Sequence, residues 1–358
     1  MAKRWGLLDR TSADLPLGSL LSLDRKKVMR VGFIVGLGIV IVLVGWQGVT
    51  TILDRLADAG WGILLVALFI PPDLLLRTAA YRLLFAPGRG PRFSVTAFAT
   101  WIGSSVNFLL PVATVGGEFV KVRILTLRSV RGVDAVASVI LDKTVQALSV
   151  LLWAVIGIAV LAAIAPPDEP MVEIAVIGAA ALAVGIAGFA LVQYAGALGA
   201  FVRPAKRVSS AGKWQSLVAN AAELDATIRT LYRRPGSIIL STLLRLAKRA
   251  LMGGEVWLLA WLLGYPIGLA EAVMVNSLAV ALRSAAFVVP GGYGVQEGGY
   301  ILLGAMIGMP SDVMLAISLA TRLGELIEGL PGLVAWQFAE GGVYWARRRN
   351  VSSGSPPS

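Results

Sequence analysis

From residue 31 onward the chain is a series of apolar runs separated by short polar stretches. Windows of about 20 residues, the length a helix needs to cross a hydrocarbon core, cover 31–49, 60–85, 133–165, 171–194, 237–263 and 312–338. They predict six full transmembrane helices. Two more apolar segments, 93–110 and 269–289, each run into a proline and a glycine-rich stretch, and the arms that follow, 118–127 and 296–308, are too short to cross. A helical hairpin that enters and leaves by one face accounts for both, provided its non-helical tip is buried in protein or lines a wet cavity. The expectation is an all-α polytopic membrane protein with six full spans and two re-entrant hairpins. The stretch 31–49 follows a basic leader, but it exceeds a signal-peptide core and lacks a small-x-small cleavage site, so it reads as a retained span.

Charge placement orients this arrangement. With six crossings and two same-side hairpins, 23 of the 32 Lys and Arg fall on one face, in 1–30, 89–92, 121–131, 197–235 and 347–349. The opposite loops carry Asp54, Asp58, Asp168, Glu169, Glu271 and Asp312, with Arg55 as their one basic residue. By the positive-inside rule both termini are cytoplasmic, as expected for a bacterial inner-membrane protein. Full crossings in place of the hairpins would give the same parity, so arm length is what favours re-entry. The expected organisation is a cytoplasmic segment 1–30, one membrane domain 31–345 and a disordered tail 346–358. Within 197–235, Trp214, Leu217, Val218, Ala221, Leu224, Ile228 and Leu231 have helical spacing in a polar setting. That stripe fits either a helix lying on the inner leaflet or one packed on neighbouring protein.

Composition then removes chemistry. The chain of 358 residues is 57% hydrophobic and 15% charged, carries a formal net charge of +11, and contains neither Cys nor His. The usual zinc sites, thiol chemistry and Ser-His-Asp triads are therefore closed to it, and neither a metal nor a cofactor is expected. In a membrane protein the basic excess belongs to cytoplasmic loops, so nucleic acid is not an expected partner.

The two hairpin tips repeat one another. NFLLPVATVGGEFVKVRIL begins at Asn107 and AAFVVPGGYGVQEGGYILL at Ala286; a shift of 179 residues carries Pro111 onto Pro290, Glu118 onto Glu297 and Lys143 onto Arg322. With the charge-derived topology the hairpins enter from opposite sides, which makes the halves, about 60–165 and 237–340, an inverted repeat of the transporter kind. Proline followed by glycines (Gly116 and Gly117; Gly291, Gly292 and Gly294) frees backbone that must face a cavity or a ligand. The helix that restarts there points its positive end at that place, suited to a lipid phosphate, although Glu118 and Glu297 also have the placement of simple helix caps. GGYGVQEGG is not a dinucleotide loop, since Glu297 occupies the sixth position and no strand precedes it.

Ionisable residues within apolar helices are costly and default to a functional or paired reading. Arg245, Lys248 and Arg249 share one helical face where an anionic head group could dock, with Arg245 and Arg82 expected to snorkel to the interface. Asp142, Lys143, Arg283, Arg322 and Glu325 lie centrally and are the stronger candidates, in competition with structural ion pairing between the halves.

LPVATVGGEFVKVRIL and VPGGYGVQEGGYILLG resemble the paired signatures of the flippase-like integral membrane family that includes the transmembrane part of lysylphosphatidylglycerol synthases. GGEFVKVR with VPGGYGVQEGG looks most like the branch found with hopanoid biosynthesis, the HpnL-type membrane proteins. The resemblance covers about residues 30–345 and implies a translocase for a hopanoid or anionic lipid. The first tip departs from the family's Arg-Ala-Gly-Glu form, having Val115, Gly116 and Gly117 before Glu118, and no aminoacyltransferase region follows Arg349. The expected function is therefore lipid translocation without catalysis. Glu118 and Glu297 would stand beside the head group, with Lys143, Arg283 and Arg322 as countercharges. Membrane lipids are the expected partners, with lipid-biosynthetic enzymes as further ones. The rival readings are a transferase using Asp54 or Asp58, and a non-transporting subunit that gathers biosynthetic enzymes through 197–235.

Overall fold

The computed structural model describes residues 60–110, 116–164, 170–194, 221–286 and 292–352. The expected first span at 31–49, Pro111, Pro290, Gly291 and the N-terminal half of the amphipathic stripe lie outside the described residues.

Every described element is helical. A 3-10 segment, Gly60–Phe69, leads into α1 (Ile70–Arg82); then come α2 (Phe93–Leu109), α3 (Gly116–Leu127), α4 (Gly132–Ile164), α5 (Pro170–Tyr194), α6 (Ala221–Tyr232), α7 (Pro235–Leu262), α8 (Leu269–Ala285), α9 (Val295–Met306) and α10 (Ser311–Ser352). Sequence and structure agree on where each begins to within a few residues. The change from 3-10 to α geometry falls where Pro71 and Pro72 occupy the first turn of α1. Proline has no N–H and is tolerated there, where that group would have no partner. Among the described residues, Gly60–Arg82 and Gly132–Ile164 are long and apolar enough to span a bilayer by length and composition. Helices α7 and α10 have the length but carry several charges each, so hydropathy alone does not single them out.

The packing pattern survives exchange of the two halves. In the first, α1 packs on α2, α2 on α3 and α3 on α4; in the second, α7 packs on α8, α8 on α9 and α9 on α10. The halves then interlock: α2 packs against α10 and α8 against α4, while α1 meets α7. Each interlocking seam is closed by a glycine facing a serine. A Cβ on Gly157 of α4 would run into Ser277 of α8, and one on Gly332 of α10 into Ser105 of α2. Each seam also holds a tryptophan indole N–H that donates across it, Trp153 to Asn276 Oδ1 (3.1 Å) and Trp101 to the Glu328 carbonyl (3.0 Å). Small residues that admit close backbones, with polar bonds between helices, are how helices associate where lipid offers no hydrophobic gain.

Helix α6 decides the choice for the described part of the amphipathic stripe, Leu224 to Leu231. Ile228 and Leu231 are buried with Leu84, Ala137, Leu141 and Val145, and Leu224 packs on that cluster. Those three side chains are thus spent on α4 and the turn after α1 instead of on a lipid leaflet, one apolar stripe filling the groove beside it.

Replacing Gly157 or Gly332 with leucine wedges a seam open. Each should cost roughly 1–3 kcal/mol, read as a lower melting temperature in detergent. Gly178→Leu, on a surface where an added Cβ meets nothing within 4 Å, should leave melting unchanged.

Candidate functional site

The glycines of both tips set the side chains that follow them. On α3, Gly117 lies so close to Gly103 of α2 that a Cβ would strike the Gly103 carbonyl, and its N–H donates to Asn107 Oδ1 at 2.8 Å. That contact ties the start of α3 to α2 and turns Glu118 inward. At the second tip Gly292 (φ +62°) and Gly294 (φ +80°) adopt left-handed backbone, which costs glycine nothing. The Gly294 N–H donates to Glu297 Oε2 at 2.7 Å, so Glu297 caps α9.

The 179-residue correspondence has a physical counterpart. Lys143 Nζ lies 2.8 Å from Glu118 Oε1, and Arg322 Nε lies 2.8 Å from Glu297 Oε1. In each half a carboxylate in the first turn of the short helix is held by a cation 25 residues on, along the long helix beside it. Around these pairs the halves differ. Glu118 is also met by Lys121 at 3.0 Å, and Lys121 continues to Asp142 at 3.3 Å. Glu325 holds Arg283 at 2.6 Å and Arg322 at 3.4 Å, and Arg283 donates to Gln296 Oε1 at 2.8 Å.

Among the described residues, three ion pairs join the halves. Arg77 of α1 reaches Glu328 of α10 at 2.6 Å while holding Asp73 at 2.6 Å and donating to Ser104 at 2.6 Å. Lys248 of α7 lies 3.3 Å from the other oxygen of Asp73. Arg245 of α7 pairs with Asp142 of α4.

These groups surround a cavity of about 540 Å³, within the range of small-molecule sites. Six carboxylates (Asp73, Glu118, Asp142, Glu255, Glu325, Glu328) and seven cations (Arg77, Lys121, Lys143, Arg245, Lys248, Arg249, Arg283) line it, together with apolar Val66, Phe69, Phe108 and Met252. Such a wall binds a polar, charged group and offers it both signs.

Of the residues expected at the site, Glu118, Asp142, Lys143, Arg283 and Glu325 meet on this wall. Glu297 and Arg322 do not line it. Glu297 is fully buried and spends its oxygens on the Gly294 N–H and Arg322, so it is a cap and a structural ion pair. Gly116, Gly117, Gly292 and Gly294 shape the tips and do not line the cavity themselves, although Gly117 holds Asn107 and Gly292 packs on Arg283, both on the wall. Arg245 does not snorkel. It is 7% exposed and faces Asp142, because the i, i+3, i+4 spacing that groups it with Lys248 and Arg249 turns all three inward. Lys121, counted among the cytoplasmic-loop charges, is 6% exposed inside the protein, with its ammonium 4.7 Å from the Tyr81 ring centre. The signal for it was its place three residues after Glu118, on the same helical face. Asp73 and Arg77 stand one helical turn apart, the local sign of their pair, whereas nothing local marks Glu328, which lies 251 residues from Arg77.

Comparison with known proteins adds the family. Residues 33–330 match the family model described as the lysylphosphatidylglycerol synthase TM region. No curated protein and no solved structure matches the chain.

Asp142→Asn takes the carboxylate from two buried cations, Arg245 and Lys121. It should destabilise the protein by about 3–5 kcal/mol, and Asp142→Leu with Arg245→Leu should recover part of that loss. Chemical denaturation of the three proteins in one detergent measures both effects.

Proposed function

The chain belongs to the lysylphosphatidylglycerol synthase TM region family, and from that premise we propose that this membrane protein translocates a lipid between leaflets, passing its head group through the charged cavity between the two halves. The carrying observation is the cavity itself: thirteen ionisable side chains around about 540 Å³, gathered by helices whose outer faces are apolar. Leu68, Val184 and Leu243 are among the large side chains turned outward, at 67%, 74% and 55% exposure. A polar interior behind an apolar exterior suits an amphiphile whose head enters while its tails stay in the bilayer.

The same reading takes the α2–α3 and α8–α9 pairs as re-entrant hairpins inserted from opposite sides, in a bacterial inner membrane with both termini cytoplasmic. It is supported by the packing pattern that persists when the halves are exchanged and by the basic excess on one set of loops. Two interlocked halves around a central site form the architecture in which one rocks against the other. The ion pairs Arg77–Glu328, Lys248–Asp73 and Arg245–Asp142 would then open and close with the rocking. The head group would be anionic, held at Lys143, Lys248 and Arg249; the hopanoid assignment rests on resemblance of the tips alone. The protein would have no catalytic step of its own, in keeping with a sequence without Cys or His.

The second reading is a membrane subunit of lipid modification. The family description favours it as much as transport, and the docking face would be the polar side of α6, because its apolar side is occupied by the protein's own helices.

Purified protein in liposomes with a fluorescent anionic phospholipid, bleached from outside, distinguishes the readings. Translocation should exceed that of protein-free liposomes. Glu118→Gln with Lys143→Gln, which removes one pair without stranding a charge, should slow it about tenfold or more, one charge-assisted contact of ~1.4 kcal/mol or above. Wild-type rates equal to empty liposomes would sink the translocase reading and leave the subunit reading.

A further inference from the structure

Of the six carboxylates on the cavity wall, five are held by cations. Asp73 has Arg77 and Lys248; Glu118 has Lys121 and Lys143; Asp142 has Lys121 and Arg245; Glu325 has Arg283 and Arg322; Glu328 has Arg77. Glu255 is the sixth. It is 6% exposed, lies on α7, and among the described residues has no cation within ion-pair distance and no hydrogen bond. Its carboxylate is aimed across the seam between α7 and α10, where a Cβ on Gly324 would lie 3.7 Å from Oε1. A Cβ at 324 would meet that oxygen only in ordinary contact, its close neighbour being Val66 Cγ1 at 2.9 Å.

The neighbours of Glu255 are specific. Asp73 from α1, Glu325 from α10 and Lys248 from its own helix act on it electrostatically, and it acts in turn on Tyr300 of α9. Lys248 is engaged with Asp73. The charged groups that α8 and α4 bring to the cavity, Arg283, Asp142 and Lys143, are paired with Glu325, Arg245 and Glu118. The 3-10 segment contributes Val66, which is apolar.

Protonating any of the five paired carboxylates would leave a buried cation short of its counter-ion, which is strongly destabilising. Protonating Glu255 strands nothing. It is also the group beside which the ion pairs between the halves, Lys248–Asp73 foremost, would rearrange. We infer that Glu255 is a proton-exchange site through which lipid movement is coupled to a transmembrane proton gradient, an inference that rests on the translocase reading above. One proton from the aqueous phase on one side binds the carboxylate to give the acid, the halves rock, and the same proton leaves to the opposite aqueous phase as the carboxylate reforms. No other group gains or loses charge.

Two measurements on the full chain in liposomes test this. Infrared difference spectra taken across pH 5 to 9 should show a protonated-carboxyl band in the wild type that is lost in Glu255→Gln and shifted in Glu255→Asp, while Glu173→Gln, on the exposed face of α5 away from the cavity, leaves it in place. No titrating band, or one unchanged in Glu255→Gln, overturns the proton site whether or not the protein moves lipid. In the second measurement an imposed pH gradient should change wild-type translocation several-fold, and the rate of Glu255→Gln should be the same with and without the gradient. Wild-type transfer indifferent to the gradient overturns the coupling. Absence of any wild-type transfer overturns the translocase reading and the coupling together, and the infrared result then stands by itself on the proton site.

Discussion

A charge kept from water needs a counter-charge within a few ångströms, because the desolvation of an isolated ion exceeds what packing can return. That constraint organises this protein. Its central helices carry six carboxylates and seven cations facing one cavity, and nearly every one has an opposite partner on a different helix. Arg77 illustrates the principle: one guanidinium holds Asp73 on its own helix, Ser104 on the next and Glu328 on the last. The helices are therefore positioned against each other by ion pairs whose alternative is an unpaired buried charge.

Helix association outside the network follows a different rule. Where the halves interlock, glycines at 157 and 332 let backbones approach serines on the facing helix, and a tryptophan N–H bridges each seam. These contacts are close and nearly uncharged. Charged pairs at the centre and small residues at the seams together hold the two halves against each other.

The two tips share a motif but have diverged in use. Both set a glutamate against a cation of the following long helix at 2.8 Å. In the first half that glutamate faces the cavity and is shared between two lysines. In the second it is sealed behind the wall, capping α9, and the neighbouring Arg283, Gln296 and Glu325 line the cavity in its place. Two halves that pack alike thus carry an asymmetric site.

Much of this was legible in the residues. The bounds of the helices followed from apolar run length and from Pro and Gly, both short-range properties. The 179-residue shift matched Glu118 with Glu297 and Lys143 with Arg322, because repetition conveys equivalence of position without any contact being known; that these four residues form two ion pairs came from the structure. Local spacing failed where the partner is distant. Arg245 read as a snorkelling residue and Lys121 as a loop charge, since the carboxylate that buries both, Asp142, lies 103 residues from one and 21 from the other. Which glutamate faces the cavity, and that Glu255 has no cation beside it, were likewise decided by the tertiary structure. A sequence shows which charges a chain must bury, but pairing is a property of distance in space, and only packed helices set that distance.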